Sequence, residues 1–372
     1  MIVQSLGMLL TLRCNARCSH CCFECGPRRT ETMPANVALR AVRGAARAGL
    51  RGVIVTGGEP FLEYDLLRTV VTEAGRLNLG SRVVTNAFWA TSADRARALL
   101  EPLRTAGLRT LTVSSDDMHE RFVPRARVQT AARVGLEMGL RVIVSSAAVS
   151  GNPHALAAAI QERLQLGVHP MLWLKGGFVS PNGRAARALA PPSLDPLDAL
   201  ATARRLDAPC PFVVTEPVLT PCGALAACCS PATATRTGFR REFLVGNLAE
   251  TPFSRLQRRL ELDPVFLFLM LRGPFALYRV AAAAGVAPPP DTPIVTQCDL
   301  CAALLHDRPA ADALRRELEP QRPALVLLAL HLLACAGGDL EPYLEARAGV
   351  HRSSEVACTA PAPSDAGTVA NA

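Results

Sequence analysis

The sequence predicts an α/β protein: a partial (β/α)6 barrel, followed by a small cysteine-bearing domain and C-terminal helices. Three observations carry this expectation. Short apolar runs alternate with amphipathic stretches over residues 1–175, the pattern of parallel βαβ units. Residues able to do chemistry follow those runs, at the strand ends where such barrels collect reactive groups. Six further cysteines recur between 210 and 301, past the last expected strand.

In order, the apolar runs bounded by turns are 7–12, 52–56, 82–85, 110–114, 141–146 and 170–174. Helical stretches 36–48, 64–77, 92–106, 125–138 and 153–166 lie between them, each about the 10 to 15 residues that a crossover needs. The barrel is assigned to 1–195. Residues 176–209, rich in Gly, Pro and Ala, read as a linker with a short helix at 196–206. A second domain takes 196–305 and closing helices take 306–350. The Ser-, Ala-, Thr- and Pro-rich end, 351–372, is expected to be disordered.

Composition narrows the function classes. Hydrophobic residues make up 49% of 372, enough for a full core. The net charge of +8 is interleaved with Asp and Glu along helices, and aromatics are 5%, so stacking platforms for nucleic acid are not expected. No leader precedes the first strand, and 265–286, the longest apolar run, is interrupted by Arg272, Gly273, Pro274 and Arg279. A cytoplasmic chain without membrane contact is the expectation. Its thirteen cysteines then point to metal or redox chemistry rather than disulfides.

The first motif follows the first strand. Cys14, Cys18 and Cys21 form a C-x3-C-x2-C loop, and three thiolates can hold three corners of a [4Fe–4S] cube. The fourth iron is then open to a small molecule, whereas structural clusters and zinc sites close their shells. Zinc or free core cysteines are the alternative reading, and Cys22 and Cys25 offer other pairings. Thr56-Gly57-Gly58-Glu59-Pro60 ends the second strand: two glycines admit a ligand to the backbone and Glu59 sets a carboxylate beside it. Asn86 follows the third strand, Ser114, Ser115 and Asp116 the fourth, and Ser145 and Ser146 the fifth. A strand-end serine also serves as a local cap.

In the second domain, Cys210 is followed by x12-Gly223-x4-Cys228, then by Cys298-x2-Cys301. These four can close a second [4Fe–4S] cluster, and zinc fits the same four. Cys229 adjoins Cys228, and consecutive side chains on extended backbone point to opposite sides. With Cys228 toward the metal, Cys229 faces away, toward a substrate cavity, where a thiol can give a hydrogen atom to a carbon radical. As a free cysteine it can equally be a small buried hydrophobe.

The C-x3-C-x2-C loop followed by GGEP resembles the radical S-adenosylmethionine (SAM) superfamily, and the second cysteine set resembles its SPASM or twitch extension. Arg13-Cys14-Asn15-Ala16, Cys21-Cys22-Phe23, Cys25-Gly26-Pro27, Asn86-Ala87-Phe88-Trp89, the run 114–119, Cys228-Cys229-Ser230-Pro231 and Cys298-Asp299-Leu300-Cys301 occur in order over 8–305. Together they resemble the radical SAM peptide epimerases that make epipeptides. The resemblance implies SAM as cofactor, held near Gly57, Gly58, Glu59, Asn86, Ser114, Asp116 and Ser145. It implies a ribosomally synthesised precursor peptide as partner and an electron donor such as flavodoxin or ferredoxin. It makes Cys229 the hydrogen donor and puts Glu216 where the family has an active-site Asp. Cys222 and a longer loop after Cys210 depart from the family pattern. A peptide crosslinker and a non-catalytic iron–sulfur or zinc protein are the competing readings.

Overall fold

The computed structural model describes residues 2–149, 153–189, 208–235, 238–286, 294, 296–336 and 350–352. The helix expected at 196–206 lies outside the described residues. Strands β1 (Ser5–Thr11), β2 (Gly52–Gly57), β3 (Gly80–Thr85), β4 (Leu108–Ser114), β5 (Arg141–Ala148) and β6 (Leu172–Phe178) are all parallel and pair in sequence order. Helices Ala35–Arg47, Tyr64–Arg76, Ala93–Thr105, Arg125–Glu137 and Pro153–Leu164 connect them. Six strands and five crossovers thus form where the apolar alternation puts them. β3 and β4 begin two residues before their apolar runs, and β6 continues past its run to Phe178, where Lys175 interrupts the apolar stretch without ending the strand.

Alternate residues of each strand serve two surfaces. Val53 and Val55, Val83, Leu111 and Val113, Val142 and Val144, and Leu172 and Leu174 join the main core beneath the helices. The intervening residues face the barrel interior. Gly44 marks how closely the outer layer packs: a Cβ there would lie 2.6 Å from the Cβ of Phe253.

The second cysteine region does not build a separate sheet. β7 (Val218–Leu219) pairs parallel to β1 on its free side, Gly7 against Val218, and β8 (Ala224–Ala226) and β9 (Leu244–Asn247) continue antiparallel. The result is one ten-stranded sheet in the order β10-β6-β5-β4-β3-β2-β1-β7-β8-β9. Strand β10 (Val350–Arg352) pairs antiparallel with β6, at the point where the sequence reading passed from closing helices to a disordered tail.

Helices Phe253–Glu261, Pro264–Ala283, Gln297–Leu304, Arg308–Leu318 and Arg322–Cys335 complete the described chain. Pro264–Ala283, 20 residues long and apolar enough by length and composition to cross a membrane, is two helical pieces joined at Gly273, where the sequence reading puts the interruption. Its apolar character has another use: Val265 to Leu271 are buried in the core. At Gly273 the backbone leaves the helix (φ 82°), because a Cβ there would meet the Ala208 carbonyl oxygen at 2.0 Å.

Candidate active site

After Thr11 the chain leaves β1 and folds the cysteine loop back over the strand ends. Cys14 N–H donates to Gly26 O (3.2 Å), Gly26 N–H to Leu12 O (3.2 Å), and Met33 N–H to Leu10 O (2.8 Å). Arg184, from beyond β6, clamps the loop: its guanidinium donates to Cys18 O and Cys25 O, each at 2.6 Å. Beside it Gly183 (φ 59°) lies so close to Cys22 that a Cβ would sit 2.1 Å from that carbonyl oxygen. No local motif flags Arg184, because its partners are main-chain carbonyls more than 150 residues away.

Cys14 and Cys18 are buried and Cys21 is partly so. Donors converge on the sulfurs: Ala16 N–H on Cys14 (3.4 Å), Asn86 Nδ2 on Cys14 (3.8 Å) and Cys25 N–H on Cys21 (3.3 Å). Burial pushes the Cys14 thiol up to about 12. The Cys25 thiol, hydrogen-bonded to Cys21, pulls that group down to about 6, with the Cys25 amide and Arg184 adding to the effect. Buried sulfurs ringed by N–H donors are the setting in which thiolates bind iron, so the residues fit a cluster. A cavity of about 200 Å³ adjoins them, lined also by Gly57, Gly58, Asn86 and Ser114.

The two glycines after β2 are required by contact. A Cβ on Gly57 (φ 139°) would lie 2.3 Å from Thr11 O, and one on Gly58 2.1 Å from Arg13 O. β2 therefore ends pressed against the cysteine loop. Glu59 takes a different part from the one its sequence suggests. It is fully buried, does not line the cavity, and spends both oxygens within the protein: Oε1 accepts from Phe61 N–H (3.1 Å) and Thr85 Oγ1 (2.8 Å), Oε2 from Asn86 N–H (2.8 Å). Burial raises its carboxyl to about 7 against those three donors. Its effect is to hold Asn86, which lines the cavity.

Asp116 likewise works through others. It caps helix Asp117–Glu120 and accepts from His119 Nδ1 (2.8 Å), with His20 Nε2 at 3.8 Å. Burial opposes ionisation of Asp116, yet His119 and His20 hold it below the usual carboxylate range. Burial would lower His119, but hydrogen bonds to Asp116 and Cys18 win and raise it to about 10. His20, pushed down to about 4 by burial and by His119, stays neutral. The two histidines form a network under the cysteine loop rather than filling isolated loop positions. Ser145 does not line the cavity; it pairs in register with Ser114 and Lys175.

The second set is drawn together from three distant segments. Cys298 and Cys301 share one face of helix Gln297–Leu304, whose Thr296–Asp299 capping box fixes its start. Asp299, 2% exposed, also takes hydrogen bonds from Ser180 and Asn182, tying this helix to the barrel. Burial raises all four thiols; Cys210 raises Cys228, Cys298 and Cys301 further, and Cys298 adds to Cys228 and Cys301. Cys222 is exposed and contacts Thr220 Oγ1 instead (3.1 Å), apart from that set. The four thiols, Cys228 and Cys301 buried and Cys210 and Cys298 partly so, fit a second cluster.

Cys228 belongs to the main core and Cys229 to a separate small cluster. Cys229 donates its N–H to Glu216 O (3.2 Å) and joins a small apolar cluster with Leu9, Val218, Ala226 and Phe23. Burial and the Glu216 carboxylate push its thiol up to about 12, opposed by Arg82 and Lys175 of the barrel interior. Cys22 interacts with Cys21, Cys229 and Cys298, so it lies between the two cysteine sets.

Residues 8–137 match the Radical SAM superfamily model. Among curated relatives, YydG of Bacillus subtilis (strain 168), named for peptide biosynthesis, is 28% identical over 127 residues, 34% of this chain and 40% of YydG. GTP 3′,8-cyclase of Acidothermus cellulolyticus is 33% identical over 124 residues, 32% of this chain and 33% of the cyclase. The chain therefore spans less than half the length of these relatives. Among solved structures, Streptococcus suis SuiB bound to S-adenosylmethionine superposes with a TM-score of 0.51 at 15% identity, over 68% of this chain and 65% of SuiB. Residues 8–137, the part of the chain that carries the cysteine loop, are thus similar to the radical SAM superfamily.

Proposed function

We propose that this chain is a radical SAM enzyme that epimerises L-residues to D-residues in a ribosomally synthesised precursor peptide, fed electrons by a donor such as flavodoxin or ferredoxin. The observation that carries the reading is Cys229. It is a thiol turned away from the four-cysteine set, next to Glu216 and the barrel-interior charges. YydG, named for peptide biosynthesis, supports a peptide as the substrate class.

Cys14, Cys18 and Cys21 are the ligands of the first [4Fe–4S] cluster, and Gly57, Gly58, Asn86 and Ser114 bound the space for SAM. Glu59, Asp116 and Ser145 brace that wall. Bound there, cluster and SAM supply a 5′-deoxyadenosyl radical able to take a Cα hydrogen. Cys229 returns a hydrogen from the other face: its S–H bond breaks, a Cα–H bond forms and the centre inverts, and the thiyl left behind takes one electron from the donor and one proton to restore the thiol. Glu216 orients this thiol through its carbonyl and its charge. Cys210, Cys228, Cys298 and Cys301 hold the auxiliary cluster of a SPASM/twitch-like domain over 196–305.

The test is the reconstituted, reduced protein with SAM and a small peptide encoded beside its gene, in D2O. The expected product gains about one dalton per modified residue, since thiol hydrogen exchanges with solvent, and yields a D-residue on hydrolysis. Cys229→Ala should still cleave SAM and form no D-residue. A product lighter by about two daltons, one hydrogen lost at each end of a new bond, means a crosslinker.

A further inference from the structure

Lys175 is the one lysine among the 40 Lys and Arg residues of this chain. On a solvated surface arginine serves in its place everywhere else. A position that keeps lysine asks for what arginine lacks, a compact ammonium with three freely directed donors. The position is not a surface one. Leu172 and Leu174 pack into the core beneath the helices, so Lys175 takes the opposite, barrel-interior face of β6. Lysine is rarely placed there without a task.

Its place in the sheet is defined by register. Ser114 pairs with Ser145 and Ser145 with Lys175, so the three form one row across β4, β5 and β6. Two strand spacings put Lys175 about 10 Å from Ser114, which lines the cavity beside Cys14, Cys18 and Cys21. On the other side, the Lys175 ammonium lies 4.8 Å from the ring centroid of Phe212, in the segment that leads from Cys210 to Glu216, and its charge acts on Cys229. Lys175 therefore stands between the first cavity and the thiol. Arg82 also acts on Cys229, but pairs with Thr110, four residues before Ser114 on β4 and roughly 13 Å deeper in the barrel.

We infer that Lys175 is a further catalytic residue: its ammonium donates a hydrogen bond to the backbone carbonyl of the peptide residue whose Cα loses hydrogen. This rests on the reading that the substrate is a peptide, and holds for inversion and for crosslinking alike. Removing the Cα hydrogen leaves a neutral radical whose unpaired electron is shared with the adjoining carbonyl, and donation from the residue's own amide nitrogen shifts partial negative charge onto that oxygen. A fixed ammonium there, away from bulk water, stabilises the charge as it forms. Lys175 keeps its protons throughout. One hydrogen atom leaves Cα; in inversion one arrives from Cys229, in crosslinking a new bond forms at Cα instead, and in either case the ammonium only shapes the barrier.

The experiment measures peptide product formed per 5′-deoxyadenosine released, for the reconstituted full chain and for K175M and K175R. Removing one such donor typically costs 10²–10³-fold, so K175M is expected to lower the ratio by about 100-fold. K175R keeps the charge but not its size, and is expected to recover no more than about a tenth of the loss. Partial recovery of K175A by added ethylamine, and not by guanidine, completes the expected pattern. A K175M ratio within twofold of the unsubstituted protein, or a fully active K175R, overturns the assignment. Should K175M fail to take up iron, the K175R ratio decides alone. If the unsubstituted protein modifies no peptide while cleaving SAM, the peptide reading falls and this assignment with it.

Discussion

The two cysteine sets solve the same problem in opposite ways. The first is local: Cys14, Cys18 and Cys21 lie within eight consecutive residues, and β1, β2 and Arg184 press on them from outside. Cys22 and Cys25 join them, and all five border a cavity. The second is assembled from residues 210, 228 and 298–301, with Cys228 and Cys301 buried and Cys210 and Cys298 partly so. A loop that closes on itself can leave one side open, because its shape does not depend on what enters. A site gathered from remote segments needs its fourth thiol to hold those segments together. Openness and reactivity go with the local site, closure and scaffolding with the remote one.

The sharpest way to break this contrast is to empty the local set. Replacing Cys14, Cys18 and Cys21 together by Ala should abolish SAM cleavage, read as 5′-deoxyadenosine, while the second cluster still forms and is seen by iron analysis and electron paramagnetic resonance. Loss of both clusters would mean the two sites are not separable. The remote set should be more sensitive to its scaffold. Asp299→Ala removes a buried carboxylate that caps one helix and receives Ser180 and Asn182, and should cost about 3 kcal/mol in urea unfolding together with auxiliary iron.

A smaller, pH-dependent effect belongs to the local set. His119 is raised from 6.5 to about 10, so the stability it contributes through Asp116 is whole below pH 6.5 and is lost as pH rises through 10. The unfolding difference between the unsubstituted protein and His119→Gln should therefore shrink over that window; a difference that grows with pH contradicts the pairing. Smallest of all, Cys222→Ser should leave iron content and the auxiliary signal unchanged, since that residue is exposed and its thiol meets the Thr220 hydroxyl.

The same contrast separates what could be read in the sequence from what could not. Six strands, five crossovers and the cysteine loop were legible because each is written in a short window: apolar alternation, helical period, C-x3-C-x2-C. The extension of the sheet by β7 was not. It rests on two residues, Val218 and Leu219, pairing with Gly7 and Met8 more than 200 positions earlier. Glu59 was recognisable by motif but not by role, because only the fold shows Thr85, Asn86 and Phe61 consuming its oxygens. Arg184 belongs to no motif. Lys175 left a signal of another kind, its singularity in the composition, which periodicity does not register.

The helix break at Gly273 carries a consequence in time rather than in space. The break exists to admit the backbone of Ala208, and Cys210 N–H donates to Leu269 O (3.0 Å) on that same helix. Cys210 therefore finds its place only after residues 264–283 have been synthesised and folded, and Cys298 and Cys301 come later still. The Arg184 and Arg187 contacts that clamp the first loop are present by residue 187, and Cys22 and Phe23 also meet later segments. As the chain leaves the ribosome, most of the first site's frame is present at half length, and the second waits for the last quarter. Iron delivery to this protein is thus ordered by the chain itself, with the reactive cluster's pocket ready first and the closed one sealing the finished molecule.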